Sequence, residues 1–334
     1  MSSIPVSPRS AEFIQTAVDI ALAVENGASP NDQAVIDLLN SIVDDFGITP
    51  IVGTNDYDLI NAPRQSLNYI NGLGGNDLIF GRGGTDVIVG GEGNDRLFGG
   101  RGDDGLFGGH GDDVMYGGTG SDHLRGGFGR DIMNGGSGDD FMHGGFGNDV
   151  MYGRTGDDIM EGADQNDFLA GGRGNDSIGG GAGSDRVFGM NDDDYLAGND
   201  GVDFLYGGEG DDILVGGSDR DLLLGGHGID QFVFDPSNEN EGKDLIRDFE
   251  LGTDRIVLYA EDILAATDGI ADADGVEGLS GADLDASDDW MLIASTDGDL
   301  LVVHPGGQIE VNGVAFDDSL TFAALVELGA VDVL

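Results

Sequence analysis

The stretch GGEGNDRLFGGRGDDGLFGGHGDDVMY, residues 90–116, contains one nonapeptide three times. The same period runs without an insertion from Gly72 to Val233, which gives eighteen copies, and a degenerate form precedes it over residues 53–71. In every regular copy the sixth residue is Asp and the eighth is a large apolar residue. Such a short, strict repeat is typical of a solenoid whose stacked coils share one continuous core.

The two parts of the nonapeptide predict different local structures. Glycines at positions one, two and four permit the left-handed backbone of a tight turn. The last three residues place one apolar side chain between two variable ones, as in a short strand with one buried face. Each copy therefore predicts a polar turn followed by a strand.

The composition indicates that the natural partner of this chain is a cation. Asp and Glu number 64 against 14 Lys and Arg, and the formal net charge is −50 at pH 7. A surface of this charge repels phosphate backbones and anionic lipid, so nucleic acid is not expected as a partner. The chain has no cysteine, which excludes disulfides and thiolate metal sites. It also lacks an apolar run of the length that a transmembrane helix requires.

The nonapeptides resemble the calcium-binding repeats of the RTX family, whose pattern is Gly-Gly-x-Gly-x-Asp-x-apolar-x. The resemblance covers about half of the chain. It implies a mainly β fold, a parallel β-roll or right-handed solenoid of about nine coils. In that family the first six residues form a turn, the last three form a strand, two nonapeptides make one coil, and calcium lies between successive turns. Aspartates eighteen residues apart would then stack in two columns.

The resemblance assigns multiple calcium ions to these aspartates and to backbone carbonyls of the adjoining Gly-rich turns. The predicted ligands are Asp77, Asp86, Asp95, Asp104, Asp113, Asp122, Asp131, Asp140, Asp149, Asp158, Asp176, Asp185, Asp212, Asp221 and Asp230. Further candidates are Asp58, Asp167, Asp194, Asp203, Asp244 and Asp248. Turns near 162–167 and 189–203 are expected to be weaker or empty sites, because other residues replace glycine there.

Repulsion within the columns predicts that the metal-free roll is disordered. Two carboxylates about 5 Å apart repel by roughly 3 kcal/mol at an effective dielectric constant of about 20. We therefore expect calcium binding to be the folding step of this region. Turns in which another residue replaces glycine are expected to be weaker. These residues are Gln165, Asp192 and Asp219 at position four and Ala163, Met190 and Asn199 at position two.

The flanking segments predict two further domains around the roll of residues 51–233. Residues 1–50 are predicted to be a helical hairpin, because apolar residues recur at helical spacing over residues 10–46. Residues 234–334 are predicted to be a small β-rich cap with strands at 290–295, 300–304 and 308–315. The tail Ala330–Leu334 resembles the uncleaved signal of type I secretion substrates, which implies a secreted or cell-surface protein.

The sequence predicts no enzyme. Neither a His-Glu-x-x-His zinc motif nor a Gly-x-Ser-x-Gly nucleophile motif occurs. The favoured hypothesis is a calcium-ordered structural or interaction component of the cell surface or extracellular matrix. It would self-associate through the roll ends or the helical hairpin, or bind a polysaccharide or a cell-surface partner. The alternatives are a secretion and stability module serving an enzyme, and a membrane-active RTX protein.

Aromatic residues recur at position nine of the repeat. They could form a carbohydrate or partner face, or they could pack on flanking elements. These residues are Phe80, Phe98, Phe107, Tyr116, Tyr152, Phe188 and Tyr206.

Overall fold

The computed structural model describes the repeat region and parts of the C-terminal region. The described residues are 48–64, 67–234, 243–249, 253–258, 291–294, 300–304, 307–311 and 331–333. The chain divides into two compact units, Met1–Asp176 and Ser177–Leu334. The helical hairpin predicted at residues 10–46 lies outside the described residues. Within the described part of the chain, no helix is long and apolar enough to cross a bilayer.

Within the described part of the first unit, fourteen strands alternate between two parallel sheets. Sheet A contains β1 (Ile51–Val52), β3 (Asn68–Gly74), β5 (Asp86–Glu92), β7 (Gly105–His110), β9 (His123–Phe128), β11 (Phe141–Phe146) and β13 (Ile159–Asp164). Sheet B contains β2 (Leu59–Asn61), β4 (Leu78–Phe80), β6 (Arg96–Arg101), β8 (Val114–Thr119), β10 (Ile132–Ser137), β12 (Val150–Thr155) and β14 (Phe168–Arg173). Two nonapeptides therefore make one coil.

The described strands of the second unit also form two sheets. One contains β15 (Ser177–Ala182), β17 (Tyr195–Asp200), β19 (Ile213–Ser218), β21 (Gln231–Phe234), β23 (Arg255–Leu258) and β27 (Val331–Val333). The other contains β16 (Arg186–Asn191), β18 (Phe204–Glu209), β20 (Leu222–His227), β22 (Lys243–Ile246), β26 (Gly307–Val311), β25 (Leu300–His304) and β24 (Met291–Ala294). Strands β24, β25 and β26 pair antiparallel, and β26 pairs parallel with β22. Strands β24, β25 and β26 lie where three strands were predicted, at 290–295, 300–304 and 308–315.

From β6 to β20 the strands are longer than the three residues that the family resemblance implies. Strand β6, for example, spans six residues, RLFGGR, and so includes the first three residues of the next nonapeptide. Gly100 pairs with Gly118 and Arg101 with Thr119 in the neighbouring strand. Pairing satisfies main-chain N–H and C=O groups that would otherwise lack partners. The turn is thereby reduced to three residues, such as Gly102-Asp103-Asp104.

Most of the core of the regular repeats is formed by the position-eight residues, one from each nonapeptide. Leu97, Met115 and Leu124 are fully buried, and their neighbours in the strand point away from the core. Adjacent coils stack these side chains in register, so that Met133 lies between Met115 and Met151. One apolar side chain in every nine residues makes a narrow core, which leaves the turns close to the interior.

The glycines at positions two and four of the repeat adopt the left-handed backbone. In one turn, Gly100 has a φ of 118° and Gly102 a φ of 113°. The position-one residue Gly99 does not, so the prediction of three left-handed glycines per turn was wrong at that position. Where another residue replaces glycine, the left-handed backbone is kept. These residues are Leu73, Arg82, Arg154, Ala163, Met190 and Asn199 at position two and Gln165, Asp192 and Asp219 at position four.

Candidate calcium sites

The position-six aspartates are buried side chains that connect successive coils. None of the eighteen is more than 3% exposed, although aspartate is rarely buried unless it is paired. The Oδ1 atom of Asp113 accepts a hydrogen bond from the main-chain N–H of Asp95 at 2.7 Å. The carbonyl oxygen of Asp95 accepts the N–H of Val114 at 2.9 Å. The same pair of bonds recurs along the roll, so one carboxylate oxygen is committed to the backbone.

The second carboxylate oxygen is buried and receives no hydrogen bond. A buried anionic oxygen without a donor is costly unless a cation or a metal ion compensates it. This description applies to the Oδ2 atoms of Asp77, Asp86, Asp95, Asp104, Asp113, Asp122, Asp131, Asp140, Asp149, Asp158, Asp203, Asp212, Asp221, Asp230 and Asp244. The turns therefore contain a periodic set of unsatisfied oxygen atoms.

The position-one glycines leave open the space beside these oxygens. A Cβ atom added to Gly99 would lie 2.5 Å from Oδ2 of Asp104 and 2.7 Å from the carbonyl oxygen of Gly117. A Cβ atom on Gly81 would lie 2.5 Å from Oδ2 of Asp86 and 2.9 Å from the carbonyl oxygen of Gly99. Glycine is required here because of this close approach and not because of its φ. A carboxylate oxygen and a carbonyl oxygen of the next coil thus converge on a small space.

Burial raises the pKa of these carboxyl groups well above the usual range for aspartate. Loss of solvation is the main cause, and it raises the pKa of Asp104 to about 9 and those of Asp113 and Asp140 to about 8. The hydrogen bond from the backbone of Asp86 opposes the shift at Asp104, while repulsion from Asp122 adds to it. The ionised columns therefore need a source of positive charge.

The donor set fits the calcium that the family resemblance implies. Among the described residues, no three acidic or histidine side chains converge on one point. A cation would therefore take its ligands from the aspartate Oδ2 atoms together with carbonyl oxygens of the Gly-rich turns. Calcium prefers six to eight oxygen ligands and accepts irregular geometry, whereas zinc prefers nitrogen and sulfur. When bound, calcium supplies positive charge between carboxylates that otherwise repel one another.

The structure brings the predicted aspartates together in four columns, two in each unit. In the first unit, one column contains Asp77, Asp95, Asp113, Asp131, Asp149 and Asp167, and the other contains Asp86, Asp104, Asp122, Asp140, Asp158 and Asp176. In the second unit, they contain Asp185, Asp203 and Asp221, and Asp194, Asp212 and Asp230. The stacking of aspartates eighteen residues apart is therefore as predicted.

Both columns of the first unit begin with a residue whose side chain already has a hydrogen-bond partner within the protein. The Oδ2 atom of Asp58 accepts the main-chain N–H of Thr54 at 2.6 Å and its hydroxyl at 2.9 Å. Asn68 occupies the corresponding place in the other column, and its side-chain amide donates to Oδ1 of Asp86 at 2.6 Å. The role of Asn68 was missed, although its separation of eighteen residues from Asp86 could have revealed it. These two ends carry less uncompensated charge than the column interiors.

Two aspartates beyond the regular repeats extend the columns of the second unit. The Oδ1 atom of Asp244 accepts the N–H of Asp221 at 2.8 Å, and that of Asp254 accepts the N–H of Asp230 at 3.2 Å. Burial is also the main cause that raises the pKa of Asp244. Asp244 was among the predicted ligands. Their spacing exceeds eighteen residues because the segments before them are longer than a regular repeat.

Asp248 occupies a different environment from the column aspartates. Its Oδ1 atom accepts the N–H of Gly225 at 3.1 Å, and its Oδ2 atom accepts the N–H of Gly226 at 3.0 Å. Both oxygens thus accept main-chain N–H groups of strand β20, at residues that lie beyond its pairing with strand β22. Asp248 therefore differs from Asp244, whose Oδ2 receives no hydrogen bond.

The substituted turns keep the regular backbone path despite the loss of glycine. Ala163 and Gln165 have φ values of 82° and 78°, and Met190 and Asp192 have values of 94° and 74°. A side chain in this region costs roughly 1–2 kcal/mol per residue relative to glycine. Weaker calcium binding in these turns remains a prediction, since the strain adds to the free energy of forming each site.

Comparison with known proteins assigns the repeat region to a family. Residues 68–232 match the RTX calcium-binding nonapeptide repeat in overlapping segments from 68–97 to 197–232. Among curated protein sequences, none matches this chain significantly. A similar solved structure is the solution structure of the AlgE6R3 subunit from the Azotobacter vinelandii mannuronan C5-epimerase. It is 24% identical, with 49% of this chain and 81% of that chain covered and a TM-score of 0.26.

The matched segments coincide with the strands and turns that hold the buried aspartates. Their glycines leave room for the convergent oxygens, as calcium binding by this repeat requires. Residues 68–232 therefore belong to the RTX calcium-binding nonapeptide repeat family.

Proposed function

We propose that this chain is a secreted protein that folds when calcium binds outside the cell and then acts as a structural or interaction component of the cell surface or extracellular matrix. The observation that carries this proposal is the periodic set of buried aspartate Oδ2 atoms that receive no hydrogen bond. A roll with empty columns would be destabilised at every coil. Calcium binding is therefore coupled to folding of the whole repeat region.

Two residues of each turn have separate roles in this coupling of calcium binding to folding. Oδ1 of each column aspartate accepts a main-chain N–H of the preceding coil, which fixes the carboxylate in place. The position-one glycine keeps open the space that Oδ2 and a carbonyl oxygen share. Because the two oxygens have separate partners, one aspartate both joins two coils and offers a ligand. Each filled site would thus order its own coil and the neighbouring one.

Secretion is consistent with the proposed dependence of the fold on calcium. A chain that stays unfolded at the low calcium concentration of the cytosol could pass through a secretion channel and fold at the higher concentration outside. The proposed role is structural or binding, since the matched family model describes calcium-binding repeats. The folded roll would present a rigid surface to a partner.

Size-exclusion chromatography with light scattering tests this proposal. The full chain is run in chelator and again in several millimolar calcium, with magnesium at equal concentration as the control. We expect calcium to reduce the hydrodynamic radius at constant mass, or to produce larger assemblies of compact chains. Magnesium should do neither, because it requires a tighter octahedral set of ligands. An unchanged radius and mass in calcium would contradict the proposal.

A further inference from the structure

A stack of three aromatic rings on sheet A ends at an exposed ring. The rings belong to His110, Phe128 and Phe146, which occupy position three of the repeat in strands β7, β9 and β11. Their centroids are 4.6 and 4.9 Å apart, and the planes are within 8° of parallel. The next residue in register is Asp164, which has no ring to continue the stack. Phe146 is 49% exposed, so about half of its surface is accessible to a ligand.

Two grooves meet at the Phe128–Phe146 pair. The larger has a volume of about 420 Å³ and is also lined by Arg130, Asn148 and Gln165. These three side chains are exposed at the surface. They offer guanidinium and amide donors and amide oxygen acceptors beside the aromatic pair.

The smaller groove lies on the strand side of the same aromatic pair. Its volume is about 210 Å³, and it is also lined by Arg125, His143 and Asp164. Apolar ring surface is therefore flanked by hydrogen-bonding groups in both grooves. Arg125 and Arg130 are two of only fourteen cationic residues in the chain.

Near Gln165, a hydrogen bond between two coils is unusually long beside Phe146. Gln165 replaces the position-four glycine and has a φ of 78°. The hydrogen bond from the N–H of Gly147 to the carbonyl oxygen of Asp164 is 3.4 Å long, whereas the equivalent bond from Gly129 to Phe146 is 2.8 Å. The segment that follows Phe146 thus stands away from the following coil, which contains Asp164 and Gln165.

We infer that this surface binds a pyranose unit of a polysaccharide chain on the exposed face of Phe146. The apolar C–H face of the sugar would pack against the ring, and its hydroxyls would bond to Arg130, Asn148 and Gln165. The inference rests on the proposed function, because only the calcium-folded roll would bring these side chains together.

The charge of the chain favours a sugar over other partners. A net charge of −50 opposes the binding of nucleic acid. A neutral glycan carries no charge to be repelled, and a uronic acid could place its carboxylate near Arg125 or Arg130. Both kinds of glycan share the pyranose chemistry, and separate probes distinguish them.

Isothermal titration calorimetry of the calcium-loaded full chain tests the site. The probes are cellohexaose as the neutral glycan and hexagalacturonate as the acidic one. We expect at least one to bind, and the Phe146→Ala variant to bind it about tenfold or more weakly. The matched control is Tyr116→Ala. Tyr116 ends another stack, with Phe98 at 5.1 Å, and is 41% exposed, but it borders neither groove.

A second variant separates binding from folding. Gln165→Gly restores the usual glycine, so it should keep or increase the stability of the roll while weakening glycan binding several-fold. Binding of neither hexasaccharide at millimolar concentration by protein that contracts in calcium would overturn the inference and leave the proposed function intact. Equal losses in Phe146→Ala and Tyr116→Ala would also overturn it. Self-association that Phe146→Ala abolishes would assign the surface to a second copy.

Discussion

Asp112 and Asp113 are adjacent in the sequence, yet their carboxylates have different surroundings. Asp113 is fully buried, and its Oδ2 receives no hydrogen bond. Asp112 is exposed, and its Oδ1 accepts the N–H of Arg130 at 2.9 Å. We expect Asp113→Asn to bind at least one calcium ion fewer and to need more calcium to fold, because an amide nitrogen cannot be a calcium ligand. Equilibrium dialysis and circular dichroism measure the two effects.

The control for this substitution is Asp112→Asn. The new amide oxygen can still accept the N–H of Arg130, so we expect the calcium stoichiometry and the folding midpoint to stay the same. If the two variants lost the same amount of calcium, the buried Oδ2 atoms would not be the ligands.

A methyl group at position one of the repeat should obstruct a site. In Gly99→Ala, the new Cβ would meet Oδ2 of Asp104 and the carbonyl oxygen of Gly117. We expect a higher calcium concentration at the folding midpoint, measured by circular dichroism. Gly105→Ala is the control, because its Cβ would meet no carboxylate or carbonyl oxygen and would contact the ring of Phe107 at 3.3 Å and the side chain of Val87 at 3.8 Å. An equal shift in both variants would argue for a general loss of flexibility instead.

The raised pKa values predict that acid stabilises the metal-free roll. Burial raises the pKa of Asp104 to about 9 and those of Asp86 and Asp131 to about 7, whereas an unfolded aspartate titrates near about 4. The folded state holds protons that the unfolded state releases between these values. Its stabilisation is therefore complete below about pH 4 and is lost as the pH rises through 7 to 9.

Circular dichroism in chelator measures this pH dependence. We expect the β signal of the metal-free chain to increase as the pH is lowered from 9 to 4. In millimolar calcium the signal should change little between pH 6 and 9. A metal-free signal that increased with rising pH would show that buried carboxyl groups do not control folding.

At the scale of strands and turns, the nonapeptide period predicts most of the roll. It places Ile79, Leu97 and Met115 in the core and the aspartates in columns, because a residue and its equivalent eighteen positions later always meet the same surroundings. It does not predict the six-residue strands, because the period cannot show where main-chain pairing ends. The stack of Phe128 on Phe146 was also missed, although its spacing of eighteen residues is visible in the sequence.

The end of the regular repeat is where prediction from the period fails. Asp244 and Asp254 follow longer segments, and only the structure shows that they continue the columns. We expect Asp244→Asn to lower the calcium stoichiometry, because its Oδ2 receives no hydrogen bond. Asp248→Asn should keep the stoichiometry but weaken the C-terminal end of the roll, because Asp248 accepts two main-chain N–H groups.

Equilibrium dialysis and hydrogen exchange distinguish these two variants. Dialysis counts the bound calcium, and faster exchange of the amides of strand β20 would report the weakened end. A loss of calcium in Asp248→Asn equal to that in Asp244→Asn would mean that both carboxylates are ligands.

For the molecule as a whole, its charge sets the conditions under which it folds. The net charge of −50 includes the column carboxylates, which folding places in a buried environment. Self-repulsion of this size favours an expanded chain. In the function proposed above, calcium would reverse the balance by binding only where coils stack, and the folded state would depend on the calcium concentration by mass action. A secreted protein with this property would be expanded inside the cell and rigid outside.

The most direct test of this account is far-ultraviolet circular dichroism of the full chain during a calcium titration, with bound calcium counted by equilibrium dialysis in the same samples. The account predicts a disordered spectrum in chelator and a cooperative gain of β structure that parallels the binding of multiple calcium ions. The same β spectrum in chelator and in millimolar calcium would contradict it.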